Sequence, residues 1–586
     1  MTSEILDWSP QDEPRSKLYG DVYFSAEDGL AESRAVFLTG CGLPQAWTGR
    51  DRFVVGELGF GTGLNILALM DLWRRTSEPS AHLHIFSVEA HPIDAADAER
   101  ALSRWPELAD LTTLLISCWP GRTPGLHRVS FPEIRVTLDV AILEVAEALK
   151  QWRAKADAWF LDGFSPALNP AMWRPEVLGL LAERSAPGGR LATFTVAGDV
   201  RRGLQAAGFD VTKQPGFGRK RERLEARLPG TRLQSPLPQV AIIGAGIAGA
   251  STARALRALG VEPQIYEADE PGAGASGNPA ALVMPRLDAG LAEPAKLAAQ
   301  AFARAVTLYR QHPEAVIATG VLQVAQDAGD RRRHAKIAGS DLFAARSLAL
   351  SENQGLELAD ALVVEPGIIL DAWTGPFTRC RVESLQKTHQ GWDLVGPDGA
   401  LLHQCDAVIL ASGLDVSRLA PTAVVSAVRG QASWKASSQR PTSISSGSYV
   451  LPTRDGFLFG ATHDRDQVST EIRDTDHERN LQGLREIRPD LAAGLTREDL
   501  QGRAAVRATT TDYFPLAGAL ELGGLFVLGG LGSRGFCWAP LLAEHVAALV
   551  MDAPSPIPQD LAALIDPARF AKRTQRRGRN LVVDGD

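Results

Sequence analysis

Val240-Ala241-Ile242-Ile243-Gly244-Ala245-Gly246-Ile247-Ala248-Gly249 is an apolar, strand-like run that breaks into Gly-x-Gly-x-x-Gly and continues as a helical stretch to Leu259. That order sets a pyrophosphate on a helix N-terminus. Gly244 permits the tight turn, Gly246 lets the backbone approach the phosphates, and Gly249 lets helix and strand pack closely. A second strand, Val261 to Tyr266, ends at Glu267, where a carboxylate accepts hydrogen bonds from a ribose diol. The stretch predicts a dinucleotide-binding α/β unit.

Three further segments favour FAD over NAD. Gly272-Ala273-Gly274-Ala275-Ser276-Gly277-Asn278-Pro279 is a small-residue loop suited to passing beneath a flavin. Ala407 to Leu410 is a buried strand ending in Ala411-Ser412-Gly413. Leu525 to Gly529 is a late strand whose glycine turn, Gly530-Leu531-Gly532-Ser533-Arg534-Gly535, opens a C-terminal helix. A returning segment of this kind resembles FAD enzymes of the D-amino-acid oxidase type, glycine and sarcosine oxidases included. The expected FAD contacts are Gly244, Gly246, Gly249, Glu267, Ser276, Gly277, Asn278, Gly530 and Gly532. The stretches from Pro285 to about Gln404 and from Ser426 to about Gln501 are expected to build an interleaved substrate domain.

In glycine-oxidase-like enzymes, an arginine in the segment matching Ala505 to Gly518 resembles a clamp for the substrate carboxylate. Arg507 occupies that place here. A guanidinium fork pairs bidentately with a carboxylate and so orients the adjacent C–N bond. Arg534 is the rival clamp, and a structural ion pair is the plainer role for Arg507.

A second glycine turn lies far upstream. Phe53 to Leu58 reads as a strand, followed by Gly59-Phe60-Gly61-Thr62-Gly63 and a helix from Leu64 to Trp73. Glu57 to Gly63 looks like the first motif of Rossmann-type methyltransferases. S-adenosylmethionine carries no phosphate, so this turn need only admit an adenosine and a methionine tail. Glu57, Gly59, Gly61 and Gly63 are expected at that ligand, with Glu89 on the ribose hydroxyls and Asp139 on the adenine amine. The strand Ala158 to Leu161 runs into Asp162-Gly163-Phe164-Ser165-Pro166 and on to Trp173. An acid at the carboxyl end of a central strand faces the ligand crevice. Asp162 is therefore the candidate for orienting and deprotonating an amine nucleophile, with a turn cap before Gly163 as the alternative.

The bulk numbers agree with two enzymatic domains. A length of 586 residues exceeds one ordinary core, and the 45% hydrophobic and 22% charged fractions are those of globular proteins. Leu228 to Pro238 carries three prolines and a glycine, which block regular structure. The expected division is 1–230 methyltransferase, 231–238 linker and 239–586 oxidoreductase. The five cysteines (Cys41, Cys118, Cys380, Cys405, Cys537) show no CxxC or Cys/His spacing, so neither disulfides nor a metal site is expected. Met1 to Pro14 lacks an export signal, and no run of ~18 apolar residues is present. A cytoplasmic protein with no membrane contact and no obligatory protein partner is expected.

In combination, these motifs resemble one family over nearly the whole chain: the bifunctional tRNA 5-methylaminomethyl-2-thiouridine biosynthesis proteins. The matching pieces are Asp21 to Ser25, Gly29 to Glu32, Val36 to Leu38, Glu57 to Asn65, Asp162 to Trp173, Gly274 to Asn278, Arg507 to Pro515 and Gly529 to Gly535. Cys41-Gly42-Leu43-Pro44 departs from the family's usual asparagine, and Thr511 replaces a common proline. The resemblance implies FAD-dependent removal of a carboxymethyl group from 5-carboxymethylaminomethyl(-2-thio)uridine, then S-adenosylmethionine-dependent N-methylation. It also implies a tRNA anticodon loop as partner. Arg219, Lys220, Arg221 and Arg223, within a longer basic run and aided by the tail Phe570 to Arg579, are candidates for holding its phosphates. A formal charge of −8 argues against a general grip on nucleic acid but leaves a local basic face open. The rival reading is a glycine- or sarcosine-type oxidase fused to a methyltransferase-like module that only docks tRNA.

Overall fold

The computed structural model describes residues 5–9, 12–24, 28–218, 220–233, 236–343, 347–352 and 355–573. The chain forms two compact units: Met1–Pro236 with Pro554–Gln559, and Leu237–Ala553 with Asp560–Asp586. The division falls inside the expected linker. The expected continuous second domain needs one correction, since Pro554–Gln559 joins the first unit, where Arg128 Nη2 donates to Pro554 O at 2.7 Å.

The first unit is built on eight strands: β1 (Arg52–Leu58), β2 (His82–Val88), β3 (Gly125–Phe131), β4 (Val136–Ile142), β5 (Ala156–Leu161), β6 (Ser185–Thr193), β7 (Asp210–Pro215) and β8 (Glu222–Arg227). Their order in the sheet is β3-β4-β2-β1-β5-β6-β8-β7. β4, β2, β1, β5 and β6 run parallel, while β3 and the β7–β8 hairpin are antiparallel. The parallel strands are buried on both faces, which is why they read as unbroken apolar runs and do not alternate. Helices α1 (Gly29–Ser33), α2 (Leu64–Thr76) and α3 (Val145–Gln151) are among those flanking the sheet. The chain leaves β1 toward β2 and β4, then returns to β5 on the other side. A crevice therefore opens between β1 and β5 at their carboxyl ends.

The second unit repeats the device. Its parallel strands are β9 (Val240–Ile243), β10 (Gln264–Glu267), β11 (Ala407–Leu410) and, later in the chain, Leu525–Gly529. The sheet order is Thr378–Arg379, β10, β9, β11, Leu525–Gly529, Leu516–Ala519. Again the strand order reverses beside the first strand, between β9 and β11. Gly244 sits there at φ 103°, and a Cβ on it would lie 2.6 Å from Ala411 O, so any side chain would push the two strand ends apart. Helix α4 (Ile247–Ala258) follows the turn, and α5 (Gly535–Val550) is buried nearly all round. The one acid on its buried surface, Glu544, is neutralised by Arg304 and Arg254 at 2.7 and 2.6 Å.

A ten-stranded sheet forms the other layer of this unit. It includes β12 (Ser426–Ala436), β13 (Asp464–Arg465) and β14 (Gln501–Thr509), with strands from Ala281–Val283 through Leu356–Val364. The expected substrate segments are corrected here. Residues 378–405 do not enter this sheet: Thr378–Arg379 pairs in parallel with β10, and Ser384–Lys387, Trp392–Val395 and Leu401–Cys405 form a separate three-stranded sheet. The second segment instead extends to Thr509, because β14 pairs along the length of β12. Among the described residues, no helix is long and apolar enough to cross a membrane.

Candidate active sites

At the β1/β5 crevice lies a cavity of about 390 Å³, lined by Gly59, Gly61, Glu89, Asp162 and Phe164 among others. Glu89, just past β2, accepts from Gly61 N at 3.0 Å through one oxygen and from His91 N at 2.8 Å through the other. The acid expected at a ribose thereby also holds the glycine turn open. Phe164 is fixed by Tyr19 and Tyr23, with ring centroids 5.0 and 5.2 Å away, and Asp21 accepts from Ser165 N. Aromatic walls and an acid at a strand end fit an adenosine and a sulfonium tail.

Asp162 stands on the cavity floor inside a chain of hydrogen bonds. Ser33 Oγ donates to Asn65 Oδ1 at 2.6 Å, which turns the Asn65 amide so that Nδ2 faces two carboxylates. That nitrogen donates to Asp162 Oδ2 at 2.7 Å and to Glu57 Oε1 at 3.1 Å. Ser87 Oγ donates to the other Glu57 oxygen at 2.5 Å. Burial pushes Asp162 up to about 7, helped by the Glu32 charge and opposed by the Asn65 hydrogen bond and Lys220. Burial likewise pushes Glu57 up to about 8, with the Ser87 bond opposing and the Asp162 charge adding. Burial therefore disfavours the charged form of both carboxyls that share the Asn65 donor.

Three expectations for this cavity are corrected. Glu57 is fully buried beneath the floor and does not line the cavity; it holds Asn65. Gly63 caps α2 in a left-handed conformation, outside the lining. Asp139 lies within β4, fully buried, where Arg128 grips both its oxygens at 2.7 Å and His84 Nε2 stands 2.7 Å away. Its carboxylate is consumed by that pair; the lining beyond β4 is Leu143, Glu144 and Val145. Asn65, Ser33 and Glu32 were not singled out as site residues. A polar Asn65 among the apolar residues that open the helix, Leu64 to Met70, was the signal, since such a residue is buried only with partners.

The four basic candidates separate. Arg219 lies outside the described residues. Lys220 is part of the cavity wall, 2.8 Å from Glu32 and 4.3 Å from the Phe194 ring centroid. Arg223 is taken up by Glu225 and Pro215 O. Arg221 is exposed. Of the basic tail, 574–579 also lies outside the described residues.

The second unit holds a larger cavity of about 700 Å³ at its own strand reversal. Of the residues expected to contact FAD, Gly244, Gly246, Glu267, Ser276, Asn278, Gly530 and Gly532 line this cavity. Gly249 and Gly277 do not; Gly249 packs on Gly244, and Gly277 on Gly272. Glu267 accepts from Ala245 N at 2.7 Å and faces the cavity, while Ser276 Oγ accepts from Ile247 N at 3.0 Å. The Gly246 cap supplies no side-chain acceptor, so the α4 N-terminus offers backbone donors to an anion. Arg503, also not singled out, fastens the small-residue loop by donating to Gly272, Ala273 and Gly274 carbonyls. A strand-end carboxylate, helix-end backbone donors and a cavity of this size fit FAD.

Arg507 and Arg534 both line this cavity, with Tyr449 and His463. Arg507 sits opposite Val428 on β12, and among the described residues its side chain makes one long hydrogen bond, to Thr462 O at 3.5 Å. Its guanidinium crosses Gly430, where a Cβ would lie 2.4 Å from Nη2. An arginine held this loosely in a cavity wall is available for an anionic ligand.

The two sites define the class: an S-adenosylmethionine-dependent methyltransferase and an FAD-dependent oxidoreductase in one chain. A family model described as S-adenosyl-L-methionine-dependent methyltransferase matches residues 106–229, and one described as FAD dependent oxidoreductase matches residues 239–549. The chain is 54% identical to the tRNA 5-methylaminomethyl-2-thiouridine biosynthesis bifunctional protein MnmC of Caulobacter sp. (strain K31), over 98% of each chain. The protein of the same name from Thiobacillus denitrificans is 38% identical, over 95% of this chain and 96% of its own. The chain belongs to this family of bifunctional proteins. Among solved structures, glycine oxidase from Geobacillus kaustophilus is similar at 20% identity and a TM-score of 0.46, over 55% of this chain and 97% of that one.

The ion pair at Asp139 makes a prediction independent of ligand chemistry. Burial raises the Asp139 carboxyl, but the Arg128 and His84 charges outweigh it and hold the group at about 2. A depressed carboxyl contributes stability that is complete above the unfolded value near 4 and lost as pH falls through about 2. Asp139→Ala strands a buried guanidinium and is expected to destabilise the first unit by about 3–5 kcal/mol at pH 7. Denaturant unfolding measures this. S-adenosylmethionine affinity of the folded variant should stay within about twofold of wild type; a collapse would return Asp139 to the ligand.

Proposed function

We propose that the chain converts 5-carboxymethylaminomethyl(-2-thio)uridine at the wobble position of a tRNA into the 5-methylaminomethyl form, in the cytoplasm. The observation that carries the reading is 54% identity along the full length with a protein of that name. The two cavities support it chemically, one offering arginines to a carboxylate and the other a carboxylate to an amine. Bound FAD supplies a two-electron acceptor, and bound S-adenosylmethionine supplies an electrophilic methyl group.

The side arm of the substrate is an N-substituted glycine. Arg507 pairs with its carboxylate and holds the glycine C–N bond in place, with Arg534 as a second cation in the same wall. The C–N single bond gives up two electrons and two protons and becomes an imine. Water adds at the imine carbon, the C–N bond breaks, and glyoxylate leaves with the oxygen while the nucleoside keeps a primary amine. Near neutral pH that amine is an ammonium, useless as a nucleophile. Asp162 accepts its proton and aims the lone pair; Asn65 holds Asp162 Oδ2, leaving the other oxygen for the amine.

The tRNA itself is met by exposed cations such as Arg221, and the wobble nucleoside leaves the anticodon stack to enter either cavity. An acid as well placed as Asp162 favours a working methyltransferase over a docking module.

Three outcomes test this reading. Arg507→Ala should lose roughly 30-fold or more in kcat/KM for carboxymethylaminomethyl oxidation, while methylation of the bare amine persists. Gly430→Ala should displace the guanidinium and reproduce much of that loss, about 10- to 100-fold, with FAD still bound. Nucleoside analysis of treated tRNA reads both.

The third concerns pH. Asp162 acts as a carboxylate, so methylation should rise with pH through about 7 and fall away below it. Asn65→Ala removes a hydrogen bond that lowers this group, so the rise should move to higher pH. Asp162→Ala should lose ~100-fold or more of methylation and stop the pathway at the 5-aminomethyl nucleoside, with glyoxylate still released. Unchanged methylation by Asp162→Ala would leave it a turn cap.

A further inference from the structure

Tyr513 is bulky, 57% exposed, and held at φ 61° in the left-handed region. A turn needing that backbone is ordinarily given glycine, asparagine or aspartate, and a ring that lies mostly in water does not repay the strain by packing. The turn around it is nonetheless firmly built. Thr510 Oγ1 donates to Phe514 O at 2.6 Å, Tyr513 N donates to Thr510 O at 3.2 Å, and Arg569 grips Asp512 and Phe514 O. The scaffold therefore holds an aromatic side chain at the surface.

Its position relative to the oxidase cavity is set by strand register. Arg465 on β13 and Arg507 on β14 both pair with Val428 of β12, from opposite sides. They share one cross-strand row, roughly 10 Å apart at two strand spacings. Arg465 Nη2 donates to the Tyr513 hydroxyl at 2.6 Å, and His463, two residues earlier, lines the cavity. The other flank of the turn also touches the rim, since a Cβ on the lining residue Gly530 would meet Thr510. An exposed aromatic ring tied to an arginine beside a cavity that admits one nucleoside arm is the combination that stacks single-stranded bases.

We propose that Tyr513, braced by Arg465, is a stacking platform for an anticodon base next to the wobble nucleotide whose side arm enters the oxidase cavity. The proposal rests on the tRNA reading above. The ring face carries the base without reading its identity, and the hydroxyl contact with Arg465 sets the ring's angle.

The test uses the full-length FAD-loaded enzyme and a synthetic anticodon stem-loop bearing 5-carboxymethylaminomethyluridine, with 2-aminopurine as the neighbouring base. Tyr513→Gly relieves the left-handed backbone, so Tm and flavin content should not fall. It should weaken stem-loop binding about 5- to 100-fold, raise KM with little change in kcat, and abolish the quenching of 2-aminopurine fluorescence on binding. Tyr513→Trp should retain the quenching. If Tyr513→Gly binds, quenches and turns over as wild type does, the platform is overturned while the tRNA reading stands. If wild-type enzyme neither binds nor oxidises the stem-loop, both are overturned.

Discussion

Each unit depends on a carboxylate at the end of its second parallel strand that reaches sideways and takes a backbone N–H from the glycine turn ending the first. Glu89 does this to Gly61, and Glu267 to Ala245. A glycine turn is free to collapse onto its own strand, because it has no side chains to prop it open. The ionic hydrogen bond from the neighbouring strand holds it out, and the crevice at the strand reversal stays open. The same carboxylate also lines the cavity beside the turn it holds.

The two cavities place opposite charges where burial makes charge costly. The smaller one is lined by Asp162 and by Glu32 beside Lys220, with Glu57 beneath its floor. Burial raises Asp162 and Glu57, and a carboxyl near 7 is suited to exchanging a proton with an amine. The larger one gathers Arg507 and Arg534, cations that burial cannot easily discharge. The acids and the guanidiniums thus line separate pockets, whose electrostatics would be incompatible in one. The amide of Asn65 joins Asp162 and Glu57 by donating to both.

Much of this was legible in the sequence because it is local. Strand, glycine turn, helix and strand-end acid follow one another along the chain, and the spacing determines that Glu89 and Glu267 stand beside their turns. Asp162 was legible as a candidate for the same reason, since it follows a central parallel strand whose direction is readable; Arg507, on an antiparallel strand, was singled out by resemblance alone. The break in composition at Leu228 to Pro238 marked the division between units.

What the sequence could not decide was which acids remain free. Glu57 and Asp139 sit in strand positions as suggestive as Glu89, yet Asn65 and Ser87 take up the first, and Arg128 and His84 the second. Those partners lie on other strands and helices, and a hydrogen bond formed across a sheet leaves no periodicity in the chain. Nor did the basic run show that Lys220 turns inward to Glu32. Local order along the chain determined the fold and the ligand classes. Only the tertiary structure decided which buried charges are spent on one another and which are left for substrate, because pairing across the sheet, not residue type, determines whether a carboxylate or a guanidinium is available.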